Sequence, residues 1–248
     1  MSMDEKTLGE LRKLVKDAKR IVFLGGAGVS TASGIPDFRS PEGLYNVRSK
    51  YGRPYEEMLS LSFFEEDPET FYDFYWSTMV SFSAKPNLAH LALADFEKRH
   101  PNKLTIVTQN IDGLHQKAGS KRVLEIHGST ASYTCPSCGK RYALDEISHH
   151  GVPRCSCGGI IKPDVVLYEE ALPEDAFLGA MNATRFANLL IVGGTSLRVQ
   201  PAAMLPEYFS GGKSVIINAE PTPLDDRFDY VLRDDIGQAL SAILGGEL

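Results

Sequence analysis

Gly25-Gly-Ala-Gly-Val-Ser-Thr-Ala-Ser-Gly-Ile-Pro-Asp-Phe-Arg39 follows a short apolar run, Ile21-Val-Phe-Leu24. Gly25, Gly26 and Gly28 let a backbone turn sharply and approach a ligand with no Cβ in the way. The small residues Ser30 to Ser33 could then open a helix whose unbonded N–H groups and positive dipole end would face a pyrophosphate. The match to a dinucleotide fingerprint is partial, because Thr31 stands where the last glycine of G-x-G-x-x-G would be. An ordinary strand-to-helix turn is the alternative. Gly34-Ile-Pro-Asp-Phe-Arg39 adds an acid, an aromatic and a permanent cation just beyond that turn, where Pro36 stops a helix from continuing.

All four cysteines fall in two knuckles, Cys135-Pro-Ser-Cys138 and Cys155-Ser-Cys157. Four thiolates fill a tetrahedral shell and leave no open position for water, so one structural zinc is expected there; a redox dithiol is the alternative. The second knuckle is C-x-C rather than C-x-x-C, and Gly158 and Gly159 can absorb the tighter loop. His149 and His150 are further ligands that four cysteines make unnecessary.

His127 is the candidate general base. It follows an apolar run and precedes a glycine, which would present it at a strand end, and a neutral imidazole accepts a proton near pH 7. Asn110 and Asp112 also follow a buried run. They either orient a water, a ribose or an amide, or cap the next helix. Asn218 and Glu220 end a later strand, where a carboxylate could accept from ribose hydroxyls; a surface loop acid is the other reading. His90 and His115 fall within predicted helices and read as packing or surface residues.

The elements that must hold these groups in place are legible as short Val/Ile/Leu runs: Ile21–Leu24, Leu104–Val107, Arg122–Ile126, Val165–Leu167, Leu189–Val192 and Ser214–Ile217. Helical sequence separates them, which argues for a parallel sheet covered on both faces. Ligands sit at the carboxyl ends of such strands. Here those ends carry Gly25-Gly26, Gln109-Asn110, His127, Gly194-Thr-Ser196 and Asn218-Ala-Glu220. A first amphipathic helix carries Leu8, Leu11, Leu14 and Val15 and ends near Lys19. A second starts at Pro86-Asn87 and runs to about Arg99, with Leu88, Leu91, Ala92 and Phe96 on one face. The Tyr- and Phe-rich stretch from Pro41 to Lys85 reads as a helical insertion.

The 248 residues carry 26 Lys+Arg against 32 Asp+Glu, a net charge of −6. No overall basic field attracts nucleic acid. No apolar run is long enough to span a bilayer, and the first twenty residues lack the apolar core of a signal peptide, so a cytoplasmic protein is expected. The oligomeric state is not legible.

Taken in chain order, Gly26-Ala-Gly-Val-Ser30, Gly34-Ile-Pro-Asp-Phe-Arg39, Thr108-Gln-Asn-Ile-Asp112-Gly-Leu-His115, Glu125-Ile-His-Gly128, the four cysteines and Gly194-Thr-Ser196 resemble the sirtuins, NAD-dependent protein-lysine deacylases. The resemblance runs from about Lys19 to Asp235. It implies a Rossmann-like α/β domain (1–42, 86–131 and 164–248) and a small domain made of the helical insertion (43–85) and the zinc module (132–163). Acyl-lysine substrates would enter between the two.

By the same resemblance Gly26, Ala27, Gly28, Thr31 and Arg39 would line the diphosphate and nicotinamide-ribose side of NAD. Phe38 would shield the reacting ribose carbon. Gln109 and Asn110 would contact the ribose, and Ile111 and Asp112 the nicotinamide carboxamide. Gly194, Thr195, Ser196, Asn218, Glu220 and Ile236, with Asp235, would bind the adenosine half. His127 would be the base, with Asn110 beside it as the second catalytic residue. The acyl oxygen would attack the anomeric carbon as nicotinamide leaves, and hydrolysis of the resulting alkylimidate would release lysine and O-acyl-ADP-ribose.

Two departures stand out. Where many relatives have Phe-Gly-Glu, this chain has Tyr168-Glu169-Glu170, an extra carboxylate that would change how a peptide docks and favour basic flanking sequence. Relatives that remove succinyl groups carry Tyr-x-x-Arg in the insertion; the matching positions here read as Tyr72 and Tyr75, with no Arg to pair an acyl carboxylate. Neutral acyl groups such as acetyl are therefore expected. A protein mono-ADP-ribosyltransferase is the alternative activity, and a non-catalytic binding module built on the zinc ribbon is the alternative class. A dehydrogenase is disfavoured because Thr108-Gln-Asn110 offers no ribose-binding acid after the second strand.

Overall fold

A computed structural model describes residues 3–37 and 50–245. Phe38 and Arg39 lie outside the described residues, as does the stretch 41–49 of the expected insertion. In chain order the strands are β1 (Ile21–Gly25), β2 (Leu104–Thr108), β3 (Val123–Glu125), β4 (Gly128–Thr134), β5 (Arg141–Ala143), β6 (Lys162–Val165), β7 (Leu189–Gly193), β8 (Lys213–Ile217) and β9 (Tyr230–Leu232). The α-helices are α1 (Glu5–Asp17), α2 (Tyr55–Met58), α3 (Leu61–Glu66), α4 (Pro68–Phe74), α5 (Leu88–Arg99), α6 (Leu114–Ala118), α7 (Glu174–Arg185) and α8 (Ile236–Leu244).

The main sheet has the order β3-β2-β1-β7-β8-β9 and is parallel throughout. Its middle strands are apolar on both sides because both sides are covered. Ile21, Phe23, Ile106, Ile191 and Val215 turn to one face, against Leu11 and Val15 of α1, Leu93 and Phe96 of α5, and Leu240 and Ile243 of α8. Val22, Leu24, Val107, Leu190 and Val192 turn to the other, against Ala180 of α7 and Leu205. From β1 the chain builds outward first through β2 and β3, then returns to add β7, β8 and β9 on the other side. The crevice at this reversal, beyond the ends of β1 and β7, is where such sheets bind ligands.

Three expectations change. Val165–Leu167 does not join the main sheet. Lys162–Val165 pairs antiparallel with β4 in a separate three-stranded sheet of order β5-β4-β6, with Thr134 opposite Lys162. The run looked like a fully buried strand, but its preceding residues alternate half-buried and buried, the pattern of a sheet covered on one face. Second, Leu88 and Leu91 are 40% and 50% exposed, whereas Ala89, His90, Leu93, Phe96 and Glu97 of α5 are buried. Glu97 is drawn inside because it accepts from the amides of Lys121 and Arg122, at 3.0 and 2.9 Å, a reason that hydropathy does not register. Third, α1 ends at Asp17 rather than near Lys19, with its first turn capped by Asp4, which accepts from the Thr7 amide at 2.7 Å.

A second apolar cluster sits apart from the main sheet. It pools Tyr55, Met58, Phe63, Phe71, Tyr72 and Tyr75 with Tyr133, Cys135, Cys155, Ile161, Val165 and Leu167. The helices α2 to α4 and a π-helical turn over Tyr75–Met79 thus share one core with the small sheet. Among the described residues no helix is long and apolar enough to cross a membrane.

Candidate active site

The loop after β1 and the loop after β7 are pressed together. A Cβ on Gly26 would lie 2.7 Å from Thr195 Cβ, and one on Gly28 2.8 Å from Gly194 Cα. The Gly26 and Gly28 amides donate to the carbonyls of Gly193 and Gly194, at 3.2 and 2.8 Å. These N–H groups therefore tie two loops together instead of lying open to a phosphate. The expected helix at Ser30–Ser33 is also replaced: Ala27–Val29 and Thr31–Ser33 are short 3₁₀ turns, ended by Gly34 at φ +80°. With its amides tied to the β7 loop, this segment forms no regular α-helix over Ala27–Ser33.

Ser30 is the hub of the polar floor. Its hydroxyl donates to Asp112 Oδ2 at 2.6 Å and accepts from Asn110 Nδ2 at 3.0 Å, although Ser30 itself is buried. Asp112 Oδ1 accepts from the Leu114 amide at 2.8 Å, so this carboxylate both caps the start of α6 and faces the site. Asn87 braces the same loop from behind, donating to the Val29 carbonyl and to Ser33 Oγ at 2.8 and 2.9 Å. On the other side Gln109 Nε2 donates to Thr195 Oγ1 at 3.0 Å, joining the ends of β2 and β7.

His127 stands between β3 and β4, and its Nδ1 lies 2.9 Å from the Gln109 carbonyl oxygen. A carbonyl only accepts, so Nδ1 carries the proton and Nε2 carries the lone pair in the neutral ring. Gly128 makes this placement possible. Its φ is +75°, and a Cβ there would lie 1.9 Å from the Asp164 carbonyl oxygen.

These groups line one cavity of about 320 Å³. Of the residues expected from the sequence, Ala27, Gln109, Asn110, Ile111, Asp112, His127, Gly194, Thr195 and Ser196 are on its wall. Gly26 and Gly28 support the wall from behind. Thr31 is exposed, with its hydroxyl donating to the Gly28 carbonyl at 3.1 Å. Asn218, Glu220 and Ile236 lie beyond the cavity lining: Asn218 Nδ2 donates to the Glu220 carbonyl at 2.7 Å, and Ile236 packs over Gly193. Tyr72 and Tyr75 are not in the cavity either. They are fully buried in the second core, where the Tyr72 hydroxyl bonds the Ile161 carbonyl and Tyr75 meets the Tyr133 hydroxyl at 3.3 Å. Counting along the insertion could not show this; among its described residues Tyr55, Leu59 and Met79 are on the wall. Ser30 as a hub was also missed, and its only signal was a small polar residue after the glycine turn. Among the described lining residues Asp37, Asp112, Glu169 and Glu170 are the charged carboxylates, with no Lys or Arg.

The four cysteine sulfurs lie within 4.8 Å of one another, with Cys135 to Cys157 at 3.6 Å and Cys138 to Cys155 at 3.5 Å. Sulfurs at ~2.3 Å from a tetrahedral zinc would be about 3.8 Å apart, so the donor set fits one zinc ion. The Cys157 amide, and then the Tyr142 hydroxyl at 3.0 Å, favour the thiolate of Cys155 and hold it below the usual thiol range. A Cβ on Gly159 would lie 2.6 Å from Ser137 Oγ and 3.0 Å from Cys135 Sγ, so glycine lets this tighter knuckle close without displacing either. His149 is engaged elsewhere, donating from Nε2 to the Leu144 carbonyl at 2.7 Å. His90 and His115 are buried packing residues whose rings meet at 4.7 Å.

The Sir2 family profile matches residues 26–201. An NAD-dependent protein deacetylase of Clostridium tetani is 51% identical, over 96% of this chain and 97% of its own length. One of Clostridium acetobutylicum is 49% identical, over 96% and 98%. A solved structure of Sir2 with a p53 peptide and NAD+ superposes with a TM-score of 0.84 at 38% identity, covering 98% of each chain.

Proposed function

The chain belongs to the Sir2 family, and from that premise we infer that its crevice removes acyl groups, acetyl above all, from protein lysines at the expense of NAD. Nicotinamide, O-acyl-ADP-ribose and free lysine are the products. The observation that carries this reading is the His127 ring, held through Nδ1 by the Gln109 carbonyl and lining the same cavity as Ser30, Asn110 and Asp112.

The roles follow from the donor and acceptor set. NAD supplies the electrophilic ribose carbon and a carboxamide, which offers both N–H donors and a carbonyl acceptor. Asp112 is the acceptor suited to the carboxamide N–H groups, with Ile111 beside it. Asn110 and Gln109, each fixed by a second hydrogen bond, orient the ribose. His127 Nε2 takes a proton from a ribose hydroxyl, making that oxygen nucleophilic toward the acyl carbon. Thr195 and Ser196 face the adenosine half, with Asn218, Glu220 and Ile236 further along the same edge. The zinc has no part in the chemistry; it holds the small sheet that carries the substrate side of the crevice. Acyl-lysine enters between the Rossmann-like domain (1–42, 86–131 and 164–248) and the small domain (43–85 and 132–163). A cytoplasmic location suits a four-thiolate cluster, which needs reduced cysteines.

Incubation with NAD and an acetyl-lysine peptide tests the reading. Equal amounts of nicotinamide, deacetylated peptide and O-acetyl-ADP-ribose are expected by mass spectrometry. ADP-ribose attached to the peptide would instead establish the transferase alternative.

A further inference from the structure

Glu169 has a backbone conformation that a side chain disfavours and a carboxylate whose two oxygens both accept hydrogen bonds. Its φ is +77°, in the left-handed region where glycine is at ease. Its Oε2 accepts from the Ser62 amide at 2.9 Å and its Oε1 from the Ser62 hydroxyl at 3.0 Å, across 107 residues of sequence. Ser62 lies in the first turn of α3, whose amides need acceptors. Two main-chain bonds run alongside: Tyr168 N to the Leu59 carbonyl at 2.9 Å, and Leu61 N to the Tyr168 carbonyl at 3.1 Å. At its other end the same segment donates from Val166 N to the His127 carbonyl at 2.9 Å. Residues 165–170 all line the cavity.

We propose that Glu169 is a positioning residue: its carboxylate clasps the cavity-lining segment 166–170 to the first turn of α3 and so fixes the wall on which the acyl-lysine peptide docks. This rests on the deacylase reading above. Both carboxylate oxygens accept from Ser62, which assigns the residue a role through the wall. A preference for basic flanking sequence, expected from the extra carboxylate, is the competing role that the flanking-charge comparison below separates from this one.

Three variants separate the parts. Glu169→Gly removes the clasp while keeping a residue suited to the turn. Ser62→Pro removes both donors at the second helical residue of α3, where the amide has no partner within the helix. Glu169→Gln keeps one acceptor oxygen. Steady-state kinetics with NAD and acetyl-lysine peptides carrying Lys or Glu beside the target are expected to show peptide KM raised about fivefold or more in Glu169→Gly, with NAD KM and kcat within about twofold. Ser62→Pro should match it, the double variant should be no worse than either single, and Glu169→Gln should recover part of the loss. The proposal is overturned by a peptide KM unchanged in Glu169→Gly, by losses that multiply in the double variant, or by an effect that depends on the flanking charge. A wild-type protein that cleaves no NAD in the presence of acyl-peptide would overturn the deacylase reading itself, and this proposal with it.

Discussion

The His127 imidazole is oriented by the backbone of Gln109: Nδ1 and the carbonyl oxygen are 2.9 Å apart. One hydrogen bond thus fixes both ring direction and tautomer, and it ties the base to the end of β2, which also supplies Asn110 and Asp112. Nitrogen-15 NMR of the protein labelled at histidine should report the Nδ1–H tautomer for His127 at neutral pH. An Nε2–H signal would remove the base from its assigned role.

Gly128 is needed for that orientation. Gly128→Ala combines a left-handed backbone with a Cβ 1.9 Å from the Asp164 carbonyl oxygen. The variant should lose about 3 kcal/mol of stability, read as a shift in the urea midpoint, because the strand pairing next to His127 must open. A midpoint equal to that of the parent would contradict the geometry.

Five of the six main-sheet strands were readable because burial on both faces leaves a run such as Leu189–Val192 almost without polar residues; the short edge strand β9 (Tyr230–Leu232) was not. β4 was not either, since Gly128-Ser-Thr-Ala-Ser-Tyr-Thr134 carries few apolar side chains although it is the central strand of the small sheet. The site was legible in its residue types at strand ends, and nine of the expected residues do line one cavity. What the sequence could not show was how atoms are shared. The Gly26 and Gly28 amides go to the β7 loop, the Asp112 carboxylate is shared between the Ser30 hydroxyl and the Leu114 amide, and Tyr72 and Tyr75 turn into a core. Such choices depend on partners distant in sequence, which local pattern does not encode.

Removing zinc should unfold the small sheet and leave the main sheet standing. The protein as isolated is expected to hold one zinc per chain, and chelation should abolish deacylation while retaining most of the helical circular dichroism. Cys157→Ser should behave in the same way. Full activity after complete zinc removal would show that the small sheet stands without the metal.

The buried histidine pair predicts acid sensitivity. Burial, and then the neighbouring His90, pulls the His115 imidazole down from 6.5 to about 3. Its folded form stays neutral where the unfolded form takes up a proton. Stability is therefore fully present above pH 6.5 and declines as the pH falls toward 3, by about 2 kcal/mol at pH 5 from this residue. Urea titrations at pH 7 and pH 5 should show the decline, and His115→Leu should reduce it. An equal decline in the variant would assign the effect to other groups.

Acyl choice follows from the cavity wall, where Tyr55, Leu59 and Met79 offer apolar surface and the described residues include no cation. Acetyl-peptide should turn over faster than succinyl-peptide, because a desolvated carboxylate would find no Arg partner among the described lining residues. Faster succinyl turnover, measured with the same peptide sequence, would reverse this assignment.

Deacylation by His127→Ala, followed under single-turnover conditions with saturating NAD and acetyl-lysine peptide, bears on the base itself. NAD should bind with near-parental affinity while O-acetyl-ADP-ribose forms roughly 100- to 10,000-fold more slowly. Formation at the parental rate would mean that the imidazole in this crevice is not the base.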